Sequence, residues 1–312
     1  MKTTSVWNRT KRTFSVSFLA VLLAIVLYIQ GGIGLATTTA TISNEASSPT
    51  APHESGPLAV PTVGIPTVGA FLNGEKLVYD VSYLGVVAGK ALLAVLDPIT
   101  LNGREVYPLL STVQSSDFVS MIYPVNDRIE SYLDAKELYS HRIEVKQHEG
   151  KRKRERRIDF DHTEHKAIQI KNNSQGPGPQ RDTFDIPPRV NDFLSAIYYF
   201  RAQKQIEIGR SVFVDVHESG KNWKLEIRVL RKEIVTTPFG TFNTIKTQAM
   251  PSYEGLFLSK NDLFIWMTDD DRRIPVKIAS KISVGSITLS LTSKREGNVP
   301  REGNVPREGK EP

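Results

Sequence analysis

The sequence predicts a mainly β protein: a large curled antiparallel sheet, or a β-barrel-like domain, with one covering α-helix. Three observations carry that prediction. Apolar and polar residues alternate with period two, in stretches rich in β-branched and aromatic types, along the body 71–293. The links between stretches, such as Glu149-Gly150 and Pro238-Phe239-Gly240, fall well short of the dozen or more residues that a parallel crossover needs. The stretches also number roughly a dozen, more than an open twisted sheet carries without curling or closing.

Taken in order, strands are expected at 76–83, 86–96, 105–114, 121–133, 138–148, 153–160 and 165–171, then at 211–217, 223–235, 241–249, 263–267, 274–279 and 286–292. Two glycines interrupt the first pair, in GEKLVYDVSYLGVVAGKALLAV. Gly85 stands where the first strand ends, as a tight turn with positive φ requires. Gly89 lies inside the second strand, where a bulge or a close backbone approach accounts for a missing side chain. A phosphate loop would need a third glycine and a following helix, and neither is present. The pair reads as the corner at which the sheet begins to curl.

One segment departs from period two. After the loop NNSQGPGPQRDTFDIPPRV comes NDFLSAIYYFRAQKQ, where Asn191 or Asp192 can cap a helix of about three turns. Phe193, Leu194, Ile197, Tyr198 and Arg201 share one side of it at helical spacing. It reads as a cover or plug for one open end of the sheet, or as a lid over a pocket.

Both ends of the chain look unfit for a core. Residues 1–36 carry a basic head (Lys2, Arg9, Lys11, Arg12), an apolar run from Phe14 to about Leu35, and small residues at Gly34 and Ala36. That is the pattern of an export signal, with an uncleaved inner-membrane anchor as the alternative, and either places the body in the periplasm. Residues 37–70, rich in Thr, Ser and Pro, read as a disordered linker, and 294–312, built on the hexapeptide REGNVP, as a disordered tail. The absence of cysteine excludes a disulfide framework, a thiol nucleophile and lipid attachment through an N-terminal cysteine.

The formal charge of +6 is uneven. Four positive charges sit in the N-terminal head, and Lys151 to Arg157 (KRKRERR) carries six more against one negative, so the rest of the exported part is at about −3. The charge therefore argues against general polyanion binding, export argues against a nucleic-acid partner, and any anion preference is local. Lys151, Arg152, Lys153 and Arg154 are the candidates for contact with anionic headgroups or acidic glycans at a membrane surface. The competing reading is an edge or rim strand whose charges block aggregation.

Three blocks in this order and spacing, GEKLVYDVSYLGVVAGKALLAV, DFLSAIYYFR and FIWMTDDDRRIPVKI, resemble a family of exported bacterial proteins known only as a domain of unknown function, DUF3108. The resemblance covers nearly all of 71–291. It implies an envelope-associated β-rich domain and supplies no catalytic residues. A looser similarity, to curled-sheet lipoprotein and lipid carriers such as the LolA and LolB group, is one of architecture alone.

Candidate chemistry is sparse. Asp269 and Asp271, within Asp269-Asp270-Asp271 and seven residues beyond Asp262, offer oxygen ligands for Ca²⁺, but the glycine and bidentate glutamate of a calcium loop are missing. An Asp-rich turn neutralised by Arg272 and Arg273 is the competing reading. In DFDHTEH, His162 and His165 flank a hairpin turn and read as surface residues. Ser195 lies inside the helix, where it suits packing. No cofactor is implied, and nothing supports catalysis positively; an envelope-glycan hydrolase or transferase using carboxylates near Asp262–Asp271 is the alternative. Tyr79, Tyr83, Tyr198, Tyr199 and Trp266 read as core or as the lining of an apolar pocket, with Arg201 fixing a polar end. The expectation is a non-catalytic periplasmic binding or carrier protein for a lipid or amphipathic ligand, with a structural role in an envelope complex as a further alternative.

Overall fold

The computed structural model describes residues 68–174, 176, 178–253, 256–257, 263–281 and 285–297. The N-terminal apolar run, nearly all of the linker, Asp262 and the tail beyond 297 lie outside the described residues.

The strands, in chain order, are β1 (Lys76–Tyr83), β2 (Val86–Val95), β3 (Ile99–Leu101), β4 (Arg104–Ser115), β5 (Asn126–Asp134), β6 (Ser140–Glu149), β7 (Arg152–Asp161), β8 (Lys166–Asn173), β9 (Gln180–Asp185), β10 (Ser211–Glu218), β11 (Lys221–Thr237), β12 (Gly240–Tyr253), β13 (Leu256–Phe257), β14 (Leu263–Thr268), β15 (Pro275–Lys281) and β16 (Ser286–Arg295). Two helices interrupt them, α1 (Asp117–Ser120) and α2 (Phe193–Arg201).

All sixteen strands join one sheet, in the order β10-β11-β12-β14-β15-β16-β1-β2-β4-β5-β6-β7-β8-β9, with β13 on β12 and β3 on β4. Every ladder is antiparallel, and the one long-range closure pairs β1 with β16, bringing the two ends of the body side by side. The sheet is curled but not closed by a ladder between its edges, β9 and β10. Instead the β9–α2 connection bridges the gap. Asn191 donates its N–H to Asp215 O (2.8 Å), and its carbonyl accepts from His217 N (2.9 Å). Asn222 Nδ2 reaches Asp185 O (2.8 Å), the Phe184 and His217 rings lie 5.6 Å apart, and Arg156 pairs with Glu218. The edges thus meet through one backbone bridge and a line of side chains, which spares them the exposure of open strands.

The period-two pattern sets the core. Leu77, Tyr79 and Val81 of β1, Leu93 and Val95 of β2, Ile287, Leu289 and Leu291 of β16, and Leu225, Ile227 and Val229 of β11 all point inward and are buried. The expected helix is present with Asp192 as its cap: the Asp192 carboxylate accepts from Leu194 N and Ser195 N, and the Ser195 hydroxyl reaches back to Asp192 N. Eight of its nine residues are buried, so α2 lies within the curl of the sheet as a plug.

The glycines behave as their positions require. Leu84 and Gly85 both take positive φ (50° and 84°), which makes a two-residue hairpin turn matched to strand twist. At Gly89 a Cβ would lie 2.3 Å from the Gln114 carbonyl oxygen, and the β1–β2 register slips between Val81 and Ser82 beside it. Close approach and bulge therefore coincide at this residue.

Several expectations need correction. The stretch 121–125 is not strand: Ser116 caps the single-turn α1 through Val119 N, and β5 begins only at Asn126. β3, β9 and β13 were not foreseen; β9, QRDTFD, is a polar edge strand without an apolar face to betray it. The basic stretch is not at an edge. β7 lies between β6 and β8, two places in from β9. The body also extends past its expected limits, since Ala70 is buried in the core and β16 continues to Arg295.

Candidate functional site

The inner face of β11, β12 and β14 does not close tightly on α2. Leu225, Ile227, Ala249, Leu263, Ile265 and Met267 face Phe193, Ile197 and Phe200 of the helix across a cavity of about 30 Å³. Its lining is entirely apolar. That volume accepts one or two water-sized groups, but an apolar wall offers water no partners. A longer apolar chain enters only if α2 yields.

One end of α2 is fixed by charge. Arg201, 1% exposed, donates to both oxygens of Glu75 (2.8 and 3.0 Å) and to the carbonyls of Ala70 and Arg272. Arg272 Nη2 adds a second cation to Glu75 at 3.0 Å, and Arg273 Nη1 donates to Arg201 O at 2.8 Å. Burial alone would raise the Glu75 carboxyl, but Arg201 and Arg272 outweigh it and hold the group below its ordinary range. Tyr79 donates to Pro275 O (2.7 Å), and the Tyr198 ring lies 5.1 Å from the Arg201 guanidinium, edge-on to Phe71. Burial raises both phenols, so both stay neutral. The other end of α2 is held by the buried Asp192, which accepts from Ser131 Oγ (2.5 Å) and Ser140 Oγ (2.7 Å).

Of the six residues expected to line a ligand pocket, the structure brings together Tyr79, Tyr198 and Arg201, but as a sealed cluster behind α2. Tyr83 is half-buried at the other end of β1, and Tyr199 is half-buried on α2. Trp266 points to the opposite, outer face of β14: its indole N–H meets Glu233, and Lys246 and Lys277 lie 4.7 and 5.1 Å from its ring centroid. The helix side of the cavity, Phe193 and Ile197, is on the face expected to cover the sheet, but the sheet residues that border it are aliphatic and were not singled out, because an aliphatic alternation looks the same whether or not a gap adjoins it.

Arg272 turns toward Glu75, and Arg273 hydrogen-bonds the end of α2 while the charges of Asp269, Asp270 and Asp271 still act on it, so the expected neutralisation falls to Arg273 and without a direct ion pair among the described residues. Asp270 Oδ1 instead accepts from Thr268 Oγ1 and from the N–H groups of Arg272 and Arg273, shaping the β14–β15 turn, while Asp269 pairs with Lys232 (2.7 Å). No group of three His, Asp or Glu suited to a metal occurs among the described residues. His162 is not a surface residue: it is half-buried against Tyr139 (4.4 Å between ring centroids), and its Nε2 meets Ser140 O at 2.7 Å. Burial pushes its pKa down. Ser195 is buried in the cap of α2, within 2.6 Å of Ser140 Oγ.

A pair of buried acids was missed. Asp127 on β5 and Glu149 on β6 both point inward, 0% and 3% exposed. Burial first, and then the Glu149 charge, push the Asp127 carboxyl up to about 7 despite the His148 N–H at 2.8 Å. The sole sequence clue was an acid at an inward position of each strand.

The basic stretch splits by parity. Ile158 and Phe160 are buried on the inner face of β7, and Arg156 on that same face meets Glu218 and Ser219. Arg157 faces outward and pairs with Asp159 (2.7 Å), while Lys151, Arg152 and Lys153 are exposed at the β6–β7 turn and Arg154 is half-buried.

A family model described as a protein of unknown function, DUF3108, matches residues 78–292. No curated protein matches the chain. Among solved structures, a β-barrel-like protein of the DUF1849 domain family from Brucella abortus is similar at 8% identity and a TM-score of 0.48, over 73% of this chain and 99% of that one. A protein from Bacteroides fragilis assigned as exported, with a YmcC-like fold, gives 11% identity and a TM-score of 0.31, over 72% and 98%. One from Parabacteroides distasonis assigned as a lipoprotein gives 12% and 0.32, over 72% and 98%.

Proposed function

Because the chain belongs to the DUF3108 family, whose function is unknown, we propose from its own geometry that it is a non-catalytic binding or carrier protein of the cell envelope, taking an apolar or amphipathic ligand. The observation that carries this reading is the wholly apolar cavity between α2 and the inner face of β11, β12 and β14. Apolar walls with few polar groups are the usual make-up of a lipid-type site. An acyl chain would enter by displacing the apolar face of α2, with Phe193, Ile197 and Phe200 giving way while the Glu75–Arg201 pair holds the far end of the helix. The export pattern of residues 1–36 supports a periplasmic location.

The test is direct. Organic extraction of the purified full-length protein, read by mass spectrometry, should recover an apolar ligand in stoichiometric amount, and labelled palmitate should bind saturably. Ala249→Leu, which fills the cavity, should weaken that binding while leaving the melting temperature within a few degrees. An empty extract together with no saturable palmitate binding would end the proposal.

A further inference from the structure

One end of the curled sheet carries a cluster of exposed apolar side chains that the cavity does not explain. Leu84, Val86 and Val87 sit at the β1–β2 turn, and Phe118, Met121 and Ile122 on and after α1; each is 51–78% exposed. The two groups belong to one surface. Gly89 of β2 pairs with Ser115 of β4, and Ser116 N donates to Ala88 O at 2.8 Å, which sets α1 beside the base of the hairpin. The other exposed large apolar residues, Ile208, Phe213 and Ile234 among them, stand singly on other elements, as is ordinary for a soluble surface.

The basic turn joins this surface. Gly150 N donates to Pro124 O at 2.8 Å, and Gly150 lies so close to Tyr123 that a Cβ there would come within 2.8 Å of the ring. Lys151, Arg152 and Lys153 are therefore held next to the segment that follows Ile122. All three are exposed, and no ion pair among the described residues involves them.

We propose that this end of the sheet, formed by the β1–β2 turn, the α1 segment and the β6–β7 turn, is a docking surface for an anionic lipid bilayer. Two features choose a bilayer over a protein groove. The apolar groups sit on separate turn tips, a form suited to entering the boundary between headgroups and acyl chains. The cations flank those tips, where anionic headgroups would meet them, although the rest of the exported chain is slightly negative. Exposed large apolar side chains gathered at one end of a sheet in this way mark an interaction site. The proposal does not require the cavity beside α2 to hold a ligand.

The test uses the full chain carrying Trp7→Phe with Phe118→Trp, read as the difference from the chain carrying Trp7→Phe alone, so that the added indole reports this surface and no tryptophan of the N-terminal head contributes. With vesicles of phosphatidylethanolamine and phosphatidylglycerol, the added indole emission should shift to the blue and be quenched by brominated acyl chains. Phosphatidylcholine vesicles should give little of either. Adding Lys151→Gln, Arg152→Gln and Lys153→Gln should raise the lipid needed for half the shift on the order of 100-fold, about fivefold per charge. Adding Met121→Ser and Ile122→Ser instead should abolish the quenching while the melting temperature holds, since both side chains are exposed. Emission that stays at its water-exposed position with every vesicle would overturn the proposal. So would a shift indifferent to lipid charge and to the three neutralised cations, which would leave apolar insertion without the recognition of anionic headgroups.

Discussion

Arg201→Met gives the sharpest test of how α2 is held. The substitution keeps much of the side-chain volume and removes the charge, leaving Glu75, 1% exposed, with Arg272 as its one remaining cation. Breaking a buried pair from one side costs about 3–5 kcal/mol, because the orphaned charge stays desolvated. For a domain of this size that is a fall of roughly 6–20 °C in melting temperature. The double variant Glu75→Gln with Arg201→Met removes both charges and should recover most of the loss, since a neutral replacement of a buried pair is close to neutral overall. Trp223 and Trp266, both buried, report unfolding in urea, and an unchanged m-value would show that stability rather than compactness has moved.

The pair also has a pH signature. Glu75 is held below its ordinary value in the folded protein, so its contribution is present above the unfolded carboxylate range and is lost as the solution becomes more acid. The gap between wild type and Glu75→Gln should therefore shrink as pH falls below that range. Should Arg201→Met cost less than about 1 kcal/mol, or the double variant be no more stable than the single, the buried pair does not anchor the helix.

The remaining predictions concern other parts of the sheet. Asp127 rises from an ordinary 3.8 to about 7 on folding, so the folded state keeps a proton that the unfolded chain gives up, and stability is full below about pH 4 and declines up to about pH 7. Asp127→Asn should match wild type near pH 4 and exceed it above pH 7 by as much as about 4 kcal/mol, and parallel melting curves across that range would refute the assignment. Gly89→Val should destabilise by at least about 1–3 kcal/mol, because its Cβ meets backbone at Gln114 that cannot move without breaking the β2–β4 ladder; an unchanged urea midpoint would remove the close approach as the reason for the glycine. Asp270→Ala should cost about 1–2 kcal/mol through three lost turn hydrogen bonds, whereas Asp269→Asn with Asp271→Asn should cost under about 1 kcal/mol; the reverse order in thermal melts would return the triplet to ligand binding.

What was legible in the sequence follows from which forces act locally. Strand periodicity is local, so β1, β2, β4, β6 and β16 stand close to where alternation puts them, and the cap of α2 was visible because Asp192 acts on its own next residues. β9 was hidden because an edge strand with polar residues differs from a loop only through its partner. Arg201 was seen to share a helix face with Phe193 and Ile197, but its partner Glu75 lies 126 residues away, beyond the reach of any local pattern. The same limit applied to the interior. An aromatic count suggested a pocket lined by Tyr and Trp, but Trp266 faces outward, Tyr79 and Tyr198 are sealed, and Tyr83 and Tyr199 lie half-buried away from the cavity. The gap opens among aliphatic residues of β11, β12 and β14, because α2 is tied at both ends, by Asp192 to Ser131 and Ser140 and by Arg201 to Glu75. Contacts at both ends fix where α2 lies over the sheet, so any closing of the gap by a shift of the helix would have to break them. Residues remote from the cavity therefore bear on its shape, and a search for apolar pockets would pass over them.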